Sequence, residues 1–189
     1  ALPRLTRASQ RLVLGLEGHG ERRLAGIANH DLGEFGKQLA ARGFRTSSVN
    51  LAIAQEVPAN ASVLVIASPQ VDLQGVEVQK LRQYVQRGGN LLWLIDPEPL
   101  HGLEPLAETL GLVLGSGVVW DPTARQYNAQ PTVAIGAAGT YARHAVTGAL
   151  QLNTVFPDAR QVGYNESSGA DWRATRLIEV APRGWVEIG

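Results

Sequence analysis

The sequence LVLGLEGHGE, residues 12–21, decides the fold of the first part of the chain. Its apolar half is typical of a short buried strand, and Gly18 and Gly20 allow the backbone to turn sharply where that strand ends. In an open α/β sheet, ligands bind at the carboxyl ends of the strands. His19 and Glu21 are therefore predicted to lie at the mouth of a cleft.

Strands and helices alternate on both sides of this turn. The apolar run at 63–67 is rich in β-branched residues, which favours a central parallel strand buried on both faces. Apolar residues at helical spacing follow at 74–87, with a Gly-Gly pair as the stop signal. The expected strands are 11–16, 44–51, 63–67 and 90–95, and those at 11–16, 63–67 and 90–95 are expected to be buried. The expected helices are 31–42, 74–87 and 103–110. This order predicts a doubly wound, mainly parallel α/β sheet over residues 11–111.

The pattern changes after about Leu112. Short apolar runs at 118–120, 132–135, 150–155 and 177–180 are separated by Gly, Pro and Asn, which is typical of short strands and turns. We expect residues 112–189 to form a β-rich extension that either lengthens the sheet or packs a small antiparallel unit on it. Residues 1–189 are interpreted as one α/β domain.

Composition narrows the classes of function. Lys and Arg number 17, as do Asp and Glu, so the chain lacks the excess positive charge of a dedicated nucleic-acid-binding protein. The absence of cysteine excludes disulfides, thiolate catalysis and cysteine-ligated metals in this chain. No apolar run approaches ~18 residues, so no membrane-spanning segment is predicted. Because methionine is absent even at position 1, we expect this to be a piece of a longer protein.

The turn at residues 18–21 has two interpretations. It could present backbone N–H groups to an anion, with His19 as proton carrier and Glu21 orienting it. It could instead be a tight turn whose side chains cap neighbouring backbone groups. Its glycines do not have the spacing of the G-x-G-x-x-G nucleotide-binding motif.

Two carboxylates follow other predicted strands. Asp96 and Asp121 each precede a proline, and such a pair could bind a metal or act as acid and base. More commonly, Asp-Pro simply ends a strand. We assign no catalytic residue, no metal ligand and no cofactor. The predicted cleft residues are Gly18, His19, Gly20, Glu21, Ser68, Asp96 and Asp121.

Four segments occur in an order that resembles one family: LVLGLEGHGE, SVLVIASPQVDLQGVEVQKLRQYVQRGGNLLWLIDP, LGLVLGSGVVWDP and APRGWVE. Together they cover most of residues 11–189 and are similar to the extracytoplasmic domain of GldG-like proteins, the gliding-motility-type auxiliary components of ABC transporters. The resemblance implies a periplasmic domain anchored by transmembrane helices that lie outside this sequence. Its implied partners are the permease and ATPase subunits, with a small molecule or glycan as a further candidate ligand and no nucleic acid.

Residues 81–110 also resemble the glutamine amidotransferase-like (flavodoxin-like) fold in their order of helix, Gly-Gly, strand, elbow and helix. In that fold the elbow carries a nucleophilic cysteine, and the matching position here is about Asp96. Without a cysteine this acyl-transfer chemistry cannot operate. The resemblance implies an enzyme-like scaffold used for binding or assembly.

Three hypotheses follow. The first is a non-enzymatic extracytoplasmic accessory domain of a bacterial ABC-type transport system that binds a ligand or a protein partner. The second is a hydrolase that uses His19, Glu21 and Asp96 around a water or a metal. The third is a purely structural assembly module.

Overall fold

The computed structural model describes residues 11–97, 99–166, 172–179 and 184–188. The chain divides into two compact units. The first comprises Ala1–Ile95 with Leu100–Leu106, and the second comprises Asp96–Pro99 with Ala107–Gly189. None of the helices within the described ranges has both the length and the apolar character that crossing a bilayer requires.

The first unit contains the strands β1 (Leu12–Leu16), β2 (Arg45–Val49), β3 (Ala61–Ala67) and β4 (Leu91–Leu94) and the helices α1 (Gly33–Ala41) and α2 (Gly75–Gln86). The four strands form a parallel sheet with the order β2-β1-β3-β4. Helix α1 lies between β1 and β2 in the sequence, and α2 lies between β3 and β4. This arrangement confirms the prediction of an α/β fold with a parallel sheet. A third helix, α3 (Glu104–Thr109), follows β4 in the sequence, and the division between the units falls within it.

Strand β3 is the buried centre that its β-branched sequence predicts. The side chains of its last four residues, 64–67, are all buried, and β3 pairs with β1 on one side and β4 on the other. The prediction of a buried strand at 90–95 is wrong. Within the described ranges β4 pairs with β3 alone, so it is an edge strand, and Leu92 and Leu94 are more than a third exposed.

Apolar side chains cover both faces of the sheet. On one face, Leu24 packs with Val13 of β1 and with Val65 and Ala67 of β3, and partly buried side chains surround this cluster: Leu32, Leu39, Phe44 and Val63. Because alternate strand residues face opposite sides, the buried residues Leu14, Leu16, Leu64 and Ile66 form the core of the other face.

The helical spacing of Leu32, Phe35 and Leu39 predicts that all three lie on one buried face of α1, but the helix is rotated relative to this prediction. Leu32 and Leu39 pack on the core, but Phe35 is exposed. The buried residue of α1 is Gly36, whose missing side chain lets the helix backbone approach the Leu24 carbonyl. In α2 the spacing of Val78, Leu81 and Val85 predicts one buried face, and this prediction is confirmed because all three residues are buried.

The second unit contains the strands β5 (Leu112–Leu114), β6 (Val118–Trp120), β7 (Val133–Gly136), β8 (Thr154–Pro157), β9 (Val162–Tyr164) and β10 (Trp185–Glu187). They form short antiparallel pairs, β5 with β9, β6 with β10 and β7 with β8. Its described strands pair with one another and add nothing to the parallel sheet. Residues 177–179 are not a strand, and Val180 lies outside the described residues. A 3₁₀ helix at Pro122–Tyr127 lies between β6 and β7 in the sequence.

Candidate functional site

The candidate site lies at the carboxyl ends of β1 and β3. From β1 the chain moves to β2 on one side, and β3 then lies on the other side of β1, so the strand order reverses between β1 and β3. In open α/β sheets this is the position of the ligand-binding crevice. The turn after β1 carries the predicted residues 18–21, and the turn after β3 begins at Ser68.

Backbone hydrogen bonds join these two turns. The carbonyl oxygen of His19 accepts from the N–H of Gln70 at 2.7 Å and from that of Val71 at 3.2 Å. Gly20 has a φ of +81°, and a Cβ there would lie 3.0 Å from the Cβ of Gln70. Both the left-handed backbone and this close approach favour glycine at position 20.

The ring of His19 lies between two buried carboxylates. Its Nδ1 is 3.0 Å from Oε1 of Glu21, and its Nε2 is 3.1 Å from Oε2 of Glu77. The backbone N–H of His19 also donates to Oε2 of Glu21 at 2.8 Å. The side chain of His19 is 8% exposed, and those of the two glutamates are each 1% exposed. We call these three residues the His19 cluster.

Glu77 is a member of the cluster that sequence reasoning missed. It lies in the first turn of α2, where its Oε2 also accepts the backbone N–H of Gln74 at 3.0 Å. Gln74 immediately precedes α2, and Glu77 is the third residue of the helix. A glutamate at that position commonly caps the amino end of a helix, and this pattern in the sequence could have drawn attention to Glu77. Oε1 of Glu77 is buried and has no hydrogen-bond partner in the part of the chain that the structure describes.

Ser68 forms the start of the turn after β3. It is buried, and its φ of 53° is unusual for a residue with a side chain. Its N–H donates to the carbonyl of Leu94 at 3.3 Å, and its carbonyl accepts from Nε2 of Gln70 at 2.9 Å. The backbone of Ser68 therefore stabilises the turn that faces His19.

The structure places the other two predicted residues, Asp96 and Asp121, in the second unit. Asp121 is fully buried, and its Oδ1 accepts from the N–H and hydroxyl of Thr123, while its Oδ2 accepts from the N–H of Ile135. These bonds cap the 3₁₀ helix and fix β7. Asp96 follows β4, is partly buried and takes part in an interaction with the rest of the chain.

Among the described residues, nowhere do three or more His, Asp or Glu side chains form a group that could hold a metal ion. Within the His19 cluster, the two ring nitrogens face different carboxylates. The cluster is a linear bridge and lacks a common centre.

A pocket of about 290 Å³ lies near the amino ends of β3 and β4. Its basic side chains are already paired, since Nζ of Lys80 donates to the carbonyls of Leu51 and Ala54 and Arg87 lies 2.9 Å from Glu56. Burial raises the pKa of the Tyr84 hydroxyl in its wall above the ordinary value. These contacts stabilise the pocket wall.

Similarity to solved structures concerns the fold. The N-terminal domain of mmIFT52 superposes with a TM-score of 0.65 at 18% identity, covering 82% of this chain and 69% of that one. A thua-like protein from Bacteroides uniformis superposes with a TM-score of 0.56 at 16% identity, covering 92% of this chain and 69% of that one. Both similarities show a shared α/β architecture.

Similarity in sequence concerns the family. Comparison with curated proteins finds no significant match. Residues 10–158 match the family described as "ABC-type uncharacterized transport system". This match covers most of the chain, including the whole parallel sheet and the His19 cluster. The chain therefore belongs to this family of auxiliary proteins of ABC-type transport systems.

Proposed function

We propose that this chain is a non-enzymatic accessory domain of an ABC-type transport system, which acts on the extracytoplasmic side of the membrane and binds a partner at the carboxyl edge of its parallel sheet. The observation that carries the proposal is the family match over residues 10–158. The family suggests transporter components as partners, and we propose the permease and ATPase subunits among them. The resemblance to GldG-like proteins supports the periplasmic placement.

The geometry of His19 supports binding over catalysis. A general base needs a nitrogen lone pair within reach of a substrate proton. Both ring nitrogens of His19 face buried carboxylates, and the ring is almost entirely covered. The chain also contains no cysteine that could serve as a nucleophile. A hydrolase that uses His19, Glu21 and Asp96 is therefore the weaker interpretation.

The strand order supports a doubly wound, amidotransferase-like scaffold. Reversal of the order between β1 and β3 is the arrangement that places a crevice at the carboxyl edge. In this interpretation Asp96, just after β4, occupies the elbow position. The scaffold then serves as a binding platform, since fold alone does not specify an activity.

The loops at this edge carry apolar side chains suited to a protein partner. Ile27 follows β1, Ile53 follows β2 and Val71 follows β3, and all three are more than half exposed. Buried aliphatic side chains contribute to protein interfaces through the area they remove from water. These residues support a protein surface as the partner ahead of a small molecule or glycan.

Co-purification from native membranes tests the partner. The full-length protein is tagged, and the permease and ATPase subunits are expected to co-purify with it from detergent extracts. The double variant Ile53→Asp, Val71→Asp is expected to lose most of that recovery. The control Val162→Asp, which changes an equally exposed valine of the second unit, is expected to retain it. Recovery of no transporter subunit with the unaltered protein would overturn the proposal.

The absence of cysteine provides a direct test of location. Lys37 is largely exposed on α1, and residues 1–189 contain no cysteine, so Lys37→Cys adds one reactive thiol to this part of the protein. The unaltered protein gives the background labelling. A membrane-impermeant maleimide is expected to label it in cells whose inner membrane is intact. Labelling that requires rupture of the inner membrane would contradict an extracytoplasmic position.

A further inference from the structure

Strand β8 is an edge strand whose outward-facing backbone groups can be identified. In the part of the chain that the structure describes it pairs with β7 alone. The N–H of Asp158 donates to the carbonyl of Thr132, so these two opposite residues form a hydrogen-bonded pair of the antiparallel ladder. Such pairs alternate with pairs whose backbone groups point away from each other. Ile135 and Val155 form a pair of the second kind, and accordingly the N–H of Ile135 donates to Oδ2 of Asp121.

Val155 therefore turns both its N–H and its carbonyl oxygen away from β7, toward the outer edge of the strand. Its side chain is exposed, and so is that of Phe156, which lies on the opposite face of β8. The strand is thus open at its edge and on both faces. Backbone groups left unpaired at a strand edge are a template for pairing with another extended strand. A β-strand is the occupant that fits this edge.

The hydroxyl of Tyr141 fixes the start of β8. It accepts the N–H of Thr154 at 2.9 Å and lies 2.7 Å from the carbonyl oxygen of Gly136, so it bridges β8 and β7 where their ladder ends. It also lies 2.8 Å from the carbonyl oxygen of Leu152. A segment that is already held in its extended form loses less conformational freedom when it binds. The edge is therefore preorganised for pairing.

The edge of β8 lacks the charges that usually keep exposed strand edges apart. Natural proteins commonly place charged side chains on such edges. Residues 145–157 contain none, although Leu150 and Leu152 among them are exposed. Strand β9 differs, because Arg160 and Glu166 flank it in the sequence. Two copies of β8 can therefore lie side by side without like charges facing each other.

We propose that β8 pairs with β8 of a second copy of this chain, in antiparallel orientation about a two-fold axis at Val155. Each Val155 offers one donor and one acceptor outward, so it exchanges both N–H···O=C bonds with its counterpart in the second copy. Such an edge is self-complementary, as a two-fold interface requires. Pro157 has no N–H, which limits how far the new ladder extends. The proposal concerns the second unit and does not depend on the transport role.

Amide hydrogen exchange of the 189-residue chain, followed by NMR, tests the pairing without any substitution. A four-residue strand gives a small interface, which is typical of weak complexes, so the chain is compared at about 10 µM and about 1 mM. Exchange of the Val155 amide is expected to slow about tenfold when about nine-tenths of the chains are paired, because only unpaired chains exchange. The Asp158 amide is the internal control, since its bond to Thr132 exists within one chain. A Val155 amide that exchanges equally fast at both concentrations would overturn the proposal.

Substitution of Val155 provides a second test. Val155→Pro removes the outward N–H and leaves the ladder with β7 intact, and Val155→Lys places two like charges at the axis. Sedimentation at the higher concentration is expected to show a dimer for the unaltered chain and a monomer for both variants. Val162→Lys in β9 is the matched control and is expected to stay dimeric, because Val162 is 56% exposed and Val155 is 57% exposed. Should Val155→Pro fail to fold, Val155→Lys carries the comparison.

Three outcomes would contradict self-pairing. The first is equal association of Val155→Lys and Val162→Lys. The second is growth of the unaltered chain into oligomers larger than a dimer, because a two-fold pair uses up both edges. The third is protection of the Val155 amide that appears only after a transporter subunit is added, which would assign the edge to a strand of that subunit.

Discussion

The Nε2 atom of His19 lies 3.1 Å from Oε2 of Glu77, a residue 58 positions further along the chain. The same oxygen accepts the N–H of Gln74, which lies just before α2. One carboxylate thus stabilises the amino end of a helix and holds the turn after β1 against it. The stability of this edge of the sheet should therefore depend strongly on a single side chain.

Glu77→Ala is predicted to destabilise the chain by about 3 kcal/mol, because it removes a buried hydrogen-bond partner of the His19 ring and also removes the acceptor of the Gln74 N–H at the amino end of α2. Chemical denaturation measures the change in the free energy of unfolding. The control is Glu34→Ala, which removes a largely exposed glutamate from the first turn of α1 and should cost less than about 1 kcal/mol. Equal losses for the two variants would show that the cluster contributes little.

Sequence reasoning could predict part of this site. His19 and Glu21 stand two residues apart in a glycine-bracketed turn, and one interpretation of that turn has Glu21 orient His19. Their side chains are in contact in the structure. Glu77 could not be found in the same way, because hydrophobic periodicity predicts that α2 exists but does not predict which distant residue its first turn will contact. Which residues the first turn of α2 contacts depends on the order of the strands in the sheet, and tertiary packing determines that order.

The same limit explains two differences in the fold. The apolar run at 90–95 predicts a strand. Whether that strand lies at the edge of the sheet depends on whether another strand pairs beyond it, and the run itself does not encode this. In α1, helical spacing favours Phe35 as a core residue, while close backbone packing at Gly36 turns Phe35 outward. A glycine within a helical pattern can indicate that the helix backbone packs closely against another element, and the spacing of apolar residues does not show this.

Gly36→Ala is predicted to destabilise the chain by about 2 kcal/mol, although alanine is the better helix former. The added Cβ would overlap the carbonyl oxygen of Leu24, which is backbone and cannot move aside cheaply. The matched control is Gly75→Ala in the first turn of α2, where no atom lies within 4 Å of the added Cβ. That variant should be neutral or more stable by up to about 1 kcal/mol. Thermal unfolding of both variants shows whether each substitution lowers or raises the stability of the chain. A Gly36→Ala variant that is more stable than the unaltered chain would contradict the close approach of α1 to the Leu24 carbonyl.

Asp121→Ala is predicted to cost about 2–3 kcal/mol, since it deprives two backbone N–H groups of their acceptor, that of Ile135 in a buried position. Its control is Glu179→Ala, which removes an exposed member of a 3.9 Å surface ion pair in the same unit. Chemical denaturation followed by tryptophan fluorescence measures the change through Trp120, which adjoins Asp121 in the sequence. A loss below about 0.5 kcal/mol would show that the buried carboxylate is not a structural cap and would favour a ligand role for it.

Asp31→Asn is predicted to destabilise the chain at pH 7 and to have progressively less effect as the solution becomes acidic. The backbone N–H of Arg23, 2.9 Å from Oδ1, is the main cause that lowers the pKa of Asp31 below its ordinary value of 3.8. A lowered pKa in the folded state means that the ionised carboxylate contributes stability above the ordinary value and that this contribution is lost as pH falls through the folded-state pKa. The difference in unfolding free energy between the unaltered chain and Asp31→Asn should therefore be constant above about pH 5 and shrink below about pH 4.

Asp158→Asn, at an exposed position, is the control and should match the unaltered chain at pH 7 within about 0.5 kcal/mol. If the difference for Asp31→Asn instead grows on acidification, the carboxylate does not stabilise the turn in its ionised form.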